Sequence, residues 1–380
     1  MTEQTPFLPR SDRKRRLLTL AGIFFLTLAV RWAFVLTGWL MGQEGLSGFF
    51  SGLYERLIQA GDAPHYLQIA RNGYLSSGDT VNNIVFYPLY PLLIRCFSLL
   101  TGGEYAIAAL LVSNLCLGLA GAVLWQLFTE LGGERRGWEA LLFLLCYPFG
   151  MFLTGIYTES LFLLLSGLCL LCLYRRQWAG VAVAGLLAAL SRTQGLVLLV
   201  PAAYEWLLDL SHGQRKGMAR RMLCLLCIPL GTGLYLLLNY AVTGDALAFV
   251  TYEAQPPWYN TTQWIAGNLT THYGMALDNE YLGALIYWVQ LALYFLGITG
   301  IFAGLWLGER TSLLAYGGAL IFVSYLHGWL ISGPRYMLAC LPLFLLATRL
   351  RPTARYAVLA LSAALGVGYM VMYLAGGAIM

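Results

Sequence analysis

Residues 10–40 read RSDRKRRLLTLAGIFFLTLAVRWAFVLTGWL: a basic cluster, then an apolar run from Leu17 to Leu40 that only Arg31 interrupts. The hydrocarbon core of a bilayer takes about 20 apolar residues of helix, so this run is long enough to cross. It exceeds a signal-peptide core and carries no small-residue cleavage site, so it is expected to remain as the first span. The rest of the chain has the same character. Of 380 residues 59% are hydrophobic and 11% charged, with a mean hydropathy of +0.68. Soluble proteins carry about 25% charged residues, and the 23 basic and 18 acidic side chains here are too few to coat a water-soluble surface. A soluble enzyme, a secreted disulfide scaffold and a disordered chain are excluded together. The expected fold class is an all-α polytopic membrane protein, one transmembrane domain over residues 1–380.

Cutting the sequence into stretches of spanning length predicts spans near 17–40, 105–131, 139–154, 156–174, 179–191, 194–210, 221–242, 282–307, 311–331, 336–349 and 356–378. The count is about eleven (roughly nine to thirteen), because several of these are short and pairs of them read as hairpins or broken helices. Basic residues cluster at Arg10/Arg13/Lys14/Arg15/Arg16, Arg135/Arg136, Arg175/Arg176, Arg215/Lys216/Arg220/Arg221, Arg310 and Arg349/Arg351/Arg355. All of these fall on one side of that topology, which the positive-inside rule makes cytoplasmic, with the N-terminus inside. Two long aromatic segments lie on the opposite face, about 41–103 and about 243–281. Long aromatic loops on a helical scaffold are where function concentrates.

Six basic residues lie outside the cytoplasmic clusters: Arg31, Arg56, Arg71, Arg95, Arg192 and Arg335. Charges in or beside hydrocarbon are costly and mark function unless they snorkel to headgroups. Arg335 stands in a Gly-Pro break between spans, and its planar guanidinium suits a phosphate. Arg192 and Arg31 follow as candidates for the same ligand. Among the acids, Asp62 precedes a short amphipathic helix over 65–71, which it would otherwise simply N-cap. Glu159 opens another helix, where it reads either as a site residue or as a first-turn acid favoured by the dipole. Asp278 and Glu280 form a weak Asp-x-Glu pair, more typical of a solvated loop than of a metal site. The eight cysteines include two C-x-x-C pairs (Cys169/Cys172 and Cys224/Cys227) flanked by leucine, which reads as buried thiols rather than a metal or redox centre.

The stretches DAPHYLQIARNGY (62–74), FYPLYPLLIR (86–95), YTESLFLLLS (157–166), SRTQGLVLL (191–199) and PRYMLACLPLF (334–344) bring a family into view. In order and character they resemble the PIG-V family, the GPI mannosyltransferase 2 relatives, within the GT-C class of membrane glycosyltransferases. Gly61 departs from the pattern, where a Trp is expected before the Asp. The resemblance implies a GT-C-like helix bundle that takes mannose from a polyprenyl-phosphate carrier at the outer or lumenal face and delivers it to a lipid or glycan acceptor. It also maps the catalytic base of the class onto Asp62.

A β-linked donor and α-linked product imply inversion at C1, which needs one base and a cationic site for the departing phosphate. The expected assignment is Asp62 as base and His65 either orienting it or packing. Arg335, Arg192 and Arg31 are expected on the phosphate, and Tyr66, Tyr87, Tyr90, Glu159 and Tyr336 on the substrate. Trp258 and Trp264 can stack on sugar rings or belong to the interfacial belt. No cofactor, no metal and no nucleic acid is expected, since the leaving group is not a nucleotide diphosphate and no D-x-D triplet is present. Membrane lipids complete the partners. A prokaryotic plasma membrane is the expected location, or the ER membrane in a eukaryote. The rival readings are a GT-C transferase for another sugar and a lipid-linked sugar flippase.

Overall fold

A chain this apolar has to satisfy its backbone polar groups internally, and helices do so within one segment. The computed structural model describes residues 10–42, 48–78, 80–279, 286–328 and 332–376, with side chains from Lys14 onward. In chain order its helices are α1 (Arg10–Gly42), α2 (Phe49–Gln59), α3 (Ala63–Asn72), α4 (Leu89–Ser98), α5 (Tyr105–Gly132), α6 (Glu134–Leu145), α7 (Met151–Thr154), α8 (Glu159–Tyr174) and α9 (Trp178–Ser191). There follow α10 (Leu199–Ser211), α11 (Met218–Thr243), α12 (Ala248–Glu253), α13 (Ile265–Asp278), α14 (Trp288–Trp306), α15 (Thr311–Ser324), α16 (Gly333–Met337), α17 (Leu341–Ala347) and α18 (Pro352–Leu374). Short 3-10 turns occupy Val81–Val85 and Thr193–Leu198. Among the described residues there is no strand, only an isolated bridge between Thr262 and His327. The expected all-α membrane class holds.

The expected spans differ in how whole they are. Among the described residues five helices, α1, α5, α11, α14 and α18, are long and apolar enough to cross a membrane, while α4, α8, α9 and α15 are shorter apolar helices. The expected span 139–154 is broken at Pro148 and Gly150 into α6 and the single turn α7. The one at 194–210 opens as a 3-10 turn after Arg192, and 336–349 is two short pieces. Such breaks persist at membrane depth where neighbours satisfy the freed backbone. Arg31 does this for α6, donating from Nη1 to the Leu145 carbonyl at 2.6 Å, and the Ser160 hydroxyl does it for Leu153 at 2.7 Å.

Helices close on one another where small residues allow it. A Cβ added at Gly121 would sit 2.1 Å from the Thr27 hydroxyl, which fixes the α1–α5 crossing. One at Gly231 would sit 2.2 Å from the Leu186 carbonyl, which fixes α9 against α11. The eight cysteines are free thiols.

The basic clusters gather at one end of the bundle and interlock there. Arg310 donates to Glu205 at 2.9 Å, and Arg176 reaches both Glu205 and Asp209 at 3.0 Å. Arg221 binds Asp209 at 2.7 Å, and Arg136 and Arg349 share Glu309. Buried charges need such partners, because an unpaired one costs several kcal/mol. Helix α8 runs between this end and the other. Arg175 follows its last residue and Glu159 is its first, about 24 Å apart at about 1.5 Å per residue. The clusters expected to be cytoplasmic therefore share one end, and Glu159 marks the opposite one.

Candidate active site

The segment 48–103 is tied down by polar contacts at that opposite end. The Tyr157 hydroxyl donates to the Ala60 carbonyl at 3.2 Å, Tyr74 to Phe86 at 2.8 Å and Tyr235 to Ile84 at 2.7 Å. Asn83, buried inside it, donates to the Gln68 side chain at 3.0 Å and meets His65 Nδ1 at 2.8 Å. Gly73 ends α3 with φ of 78°, a left-handed turn that explains the Asn-Gly-Tyr punctuation. Gly61 has φ of 49°, so a tryptophan there would be strained, and Gly61 itself lines the cleft.

Asp62 occupies the N-cap position of α3 but makes no side-chain cap bond. Its carboxylate reaches across to Arg335, with Oδ2 2.6 Å from Nη1. Arg335, 7% exposed, also binds Glu159, which in turn binds Arg192. Arg192 further donates to the Thr158 hydroxyl at 3.0 Å and lies over the Tyr336 ring at 5.4 Å. The result is a chain of alternating charge, Asp62–Arg335–Glu159–Arg192, drawn from four separate segments. Glu159, buried to 3%, is its organiser: one carboxylate holds two guanidiniums side by side, a geometry suited to a phosphate.

Two adjoining cavities open onto this chain. One, of about 350 Å³, is lined by Gly61, Asp62, Phe86, Glu253, Trp258 and Arg335, among others. The second, of about 110 Å³, adds Tyr66, Tyr87, Arg192, Gln194 and His327. Asp62, Glu253, Arg335 and Tyr336 line both. The larger is within the size range of small-molecule sites.

Of the residues singled out in the sequence, Asp62, Arg335, Arg192, Glu159, Tyr66, Tyr87 and Tyr336 meet here, and Trp258 joins them. Four others do not. Arg31, 1% exposed, caps the end of α6 and lines neither cavity. Tyr90 is completely buried and points into the bundle, its hydroxyl 2.6 Å from that of Ser113; Pro88 starts α4 between Tyr87 and Tyr90 and turns the second away. His65 stacks on Phe86, with ring centroids 5.1 Å apart, and packs edge-on against Trp258, behind the wall rather than in it. Trp264 is exposed, against Phe322. Asp278 is exposed at the end of α13, and Glu280 lies outside the described residues. Among the described residues no group of three or more metal-type side chains gathers.

The lining residues that were missed include Gln194, His327 and Glu253. Burial and the nearby Arg192 hold the His327 imidazole below its usual range. Glu253 ends α12, and its backbone carbonyl accepts from the Asn260 amide at 2.7 Å. The loop beyond it is stitched to residues 326–328 by Gln263 N–H to the Leu326 carbonyl at 2.8 Å and Gly328 N–H to Thr261 at 2.5 Å. Among the described residues no cation pairs with the Glu253 carboxylate, and burial pushes its pKa up to about 7. One signal was available in the sequence: Glu253 is the only Asp, Glu, Lys or Arg between Asp245 and Asp278.

Fold and site together define an all-helical integral membrane protein with an ionic cleft at one end. No family model matches the chain, and no curated protein matches it. Among solved structures it is similar to the crystal structure of the Archaeoglobus fulgidus oligosaccharyltransferase in complex with Zn and sulfate, at 15% identity and a TM-score of 0.49. That similarity covers 92% of this chain and 52% of the other, so the chain spans about half that structure's length.

Proposed function

We propose that the cleft transfers a sugar, mannose, from a polyprenyl-phosphate carrier to a hydroxyl of a lipid or glycan acceptor at the non-cytoplasmic membrane face. The observation that carries this reading is the Asp62–Arg335–Glu159–Arg192 chain facing a cavity at the end of the bundle remote from the basic clusters. Paired arginines fixed by a buried carboxylate are preorganised for a leaving phosphate, whose charge grows as the C1–O bond breaks. The sequence stretches that resemble the PIG-V family include all four of these residues. A flippase has to move its charge through the bilayer, whereas these groups are anchored at one end. An apolar groove of about 530 Å³ between α13 and α14, lined by Leu269, Tyr273, Trp288 and Phe295, offers surface for the prenyl chain.

In this reading Arg335 and Arg192 bind the phosphate. The aromatic wall of Phe86, Tyr87 and Trp258 takes the sugar, and a carboxylate on the wall takes the acceptor's proton. Asp62 is the carboxylate that the family resemblance puts in that role. The test is purified protein given polyprenyl-phosphate-mannose or polyprenyl-phosphate-glucose. Consumption of the mannosyl donor, lost on Arg335→Ala, is expected. Preference for the glucosyl donor would reassign the sugar, and consumption of neither would remove the reading.

A further inference from the structure

We propose that Glu253, rather than Asp62, accepts the proton of the attacking hydroxyl, with Asp62 acting as a positioning residue for Arg335. This rests on the transferase reading above and assigns its base. In an inverting displacement the nucleophile arrives opposite the leaving group, so base and phosphate stand on either side of the ring. In inverting glycosidases the corresponding groups are about 6.5–9.5 Å apart, leaving room for the nucleophile. Asp62 is 2.6 Å from Arg335, the cation assigned to the phosphate, and is therefore on the leaving-group side. Glu253 lines both cavities with Arg335 yet lies beyond the 4.0 Å ion-pair distance of Arg335 and of Arg192. It belongs to the wall contributed by α12, which packs on the 3-10 turn at Val81–Val85.

The charges agree with the geometry. A useful base is poised near the working pH, and two carboxyls in one site are sorted by what their surroundings do to each. Asp62 has its charge committed to a guanidinium. Among the described residues Glu253 has no cation paired with it, and burial leaves its pKa at about 7. The titratable and charged groups around it are Asp62, Arg335, Arg192 and His327 across the cavities, with Tyr66, Tyr87, Tyr235 and Tyr336 on the adjoining elements. In the step itself, the acceptor O–H proton passes to the Glu253 carboxylate as the acceptor oxygen bonds to C1. The C1–O bond to phosphate breaks with its electron pair going to the phosphate, which leaves as the polyprenyl monoester against Arg335 and Arg192. Glu253 then releases the proton to solvent through the cavity mouth.

The test uses the full chain with polyprenyl-phosphate-mannose as donor and octyl α-mannoside as acceptor, from pH 5 to 9. Wild type is expected to show an acidic limb in kcat/KM with an apparent pKa near 7. Glu253→Gln is expected to lower kcat ~10²–10⁴-fold, to flatten that limb, and to bind polyprenyl phosphate within twofold of wild type. Glu253→Asp should keep the limb at a reduced rate. A Glu253→Gln enzyme within tenfold of wild type with the limb intact overturns the assignment. So does one that loses polyprenyl-phosphate binding along with turnover, which would mark a structural role. A wild type that consumes no mannosyl donor overturns the transferase reading, and this assignment with it.

Discussion

Asp62 Oδ2 lies 2.6 Å from Arg335 Nη1, while Glu159 holds the same guanidinium from its other side. Two carboxylates thus balance Arg335 and Arg192, and an arriving phosphate competes with Asp62 for Arg335. Asp62→Asn should therefore tighten polyprenyl-phosphate binding at least threefold while lowering kcat, because the cation loses its competitor and also its orienting partner. Titration of the purified variant with polyprenyl phosphate checks this; weaker binding would show that Asp62 does not oppose the ligand.

Arg335, the leading candidate for the phosphate, and Arg31, which follows it, separate in the structure. Arg335 faces the cavities, whereas Arg31 is buried against the Leu145 carbonyl. Arg335→Lys loses the planar fork and should weaken polyprenyl-phosphate binding by about tenfold or more. Arg31→Met should leave that binding unchanged within twofold and lower the melting temperature instead. A change in affinity for Arg31→Met would return it to the site.

At the other end of the bundle, Glu205 accepts from Arg310 at 2.9 Å, from Arg176 at 3.0 Å and from the Ser312 hydroxyl at 2.6 Å. Removing one partner from a buried ionic group costs about 3–5 kcal/mol. Glu205→Ala should therefore unfold at markedly lower temperature, with turnover per folded molecule kept near that of wild type. A variant as stable as the parent would show this lock to be dispensable.

How much of this was legible follows from what each signal measures. Apolar run length and the one-sided basic clusters report the solvent around a helix, and they fixed the class and the shared end of Arg136, Arg176, Arg221 and Arg310. Run length cannot see a helix broken in the protein interior. Residues 139–154 and 194–210 accordingly read as spans, with hairpins or broken helices left open as the alternative. Isolated charges in apolar surroundings were informative for Asp62, Glu159, Arg192 and Arg335, since burial forces such groups to pair. The same signal misplaced Arg31, whose partner is a backbone carbonyl that no side-chain pattern reveals. Tyr90 and His65 were judged by residue type, but which way each ring turns depends on the start of α4 and on Phe86. Glu253 carries no motif around it; its isolation between Asp245 and Asp278 was the one sequence signal, and its place in the cleft depends on α12 packing on the turn at Val81–Val85.

Glu253 also makes a prediction about stability. Burial raises its pKa to about 7 from an ordinary 4.5, so ionising it opposes folding. That penalty is absent below about pH 4.5, grows between 4.5 and 7, and is fully present above 7. Glu253→Gln should accordingly melt higher than wild type at pH 8 and nearly level with it at pH 4.5. An equal difference at both pH values would show that the carboxyl does not titrate in the folded cleft.

The central claim is an inverting transfer in which the sugar lies between the phosphate held by Arg335 and a base on the opposite wall. It is tested most directly by the anomeric configuration of the product formed in a single turnover from β-linked polyprenyl-phosphate-mannose, read by the one-bond C1–H1 coupling in NMR. The arrangement predicts an α-linked product throughout. A β-linked product would mean retention through a covalent intermediate, and would contradict the placement of base and leaving group on opposite faces of the ring.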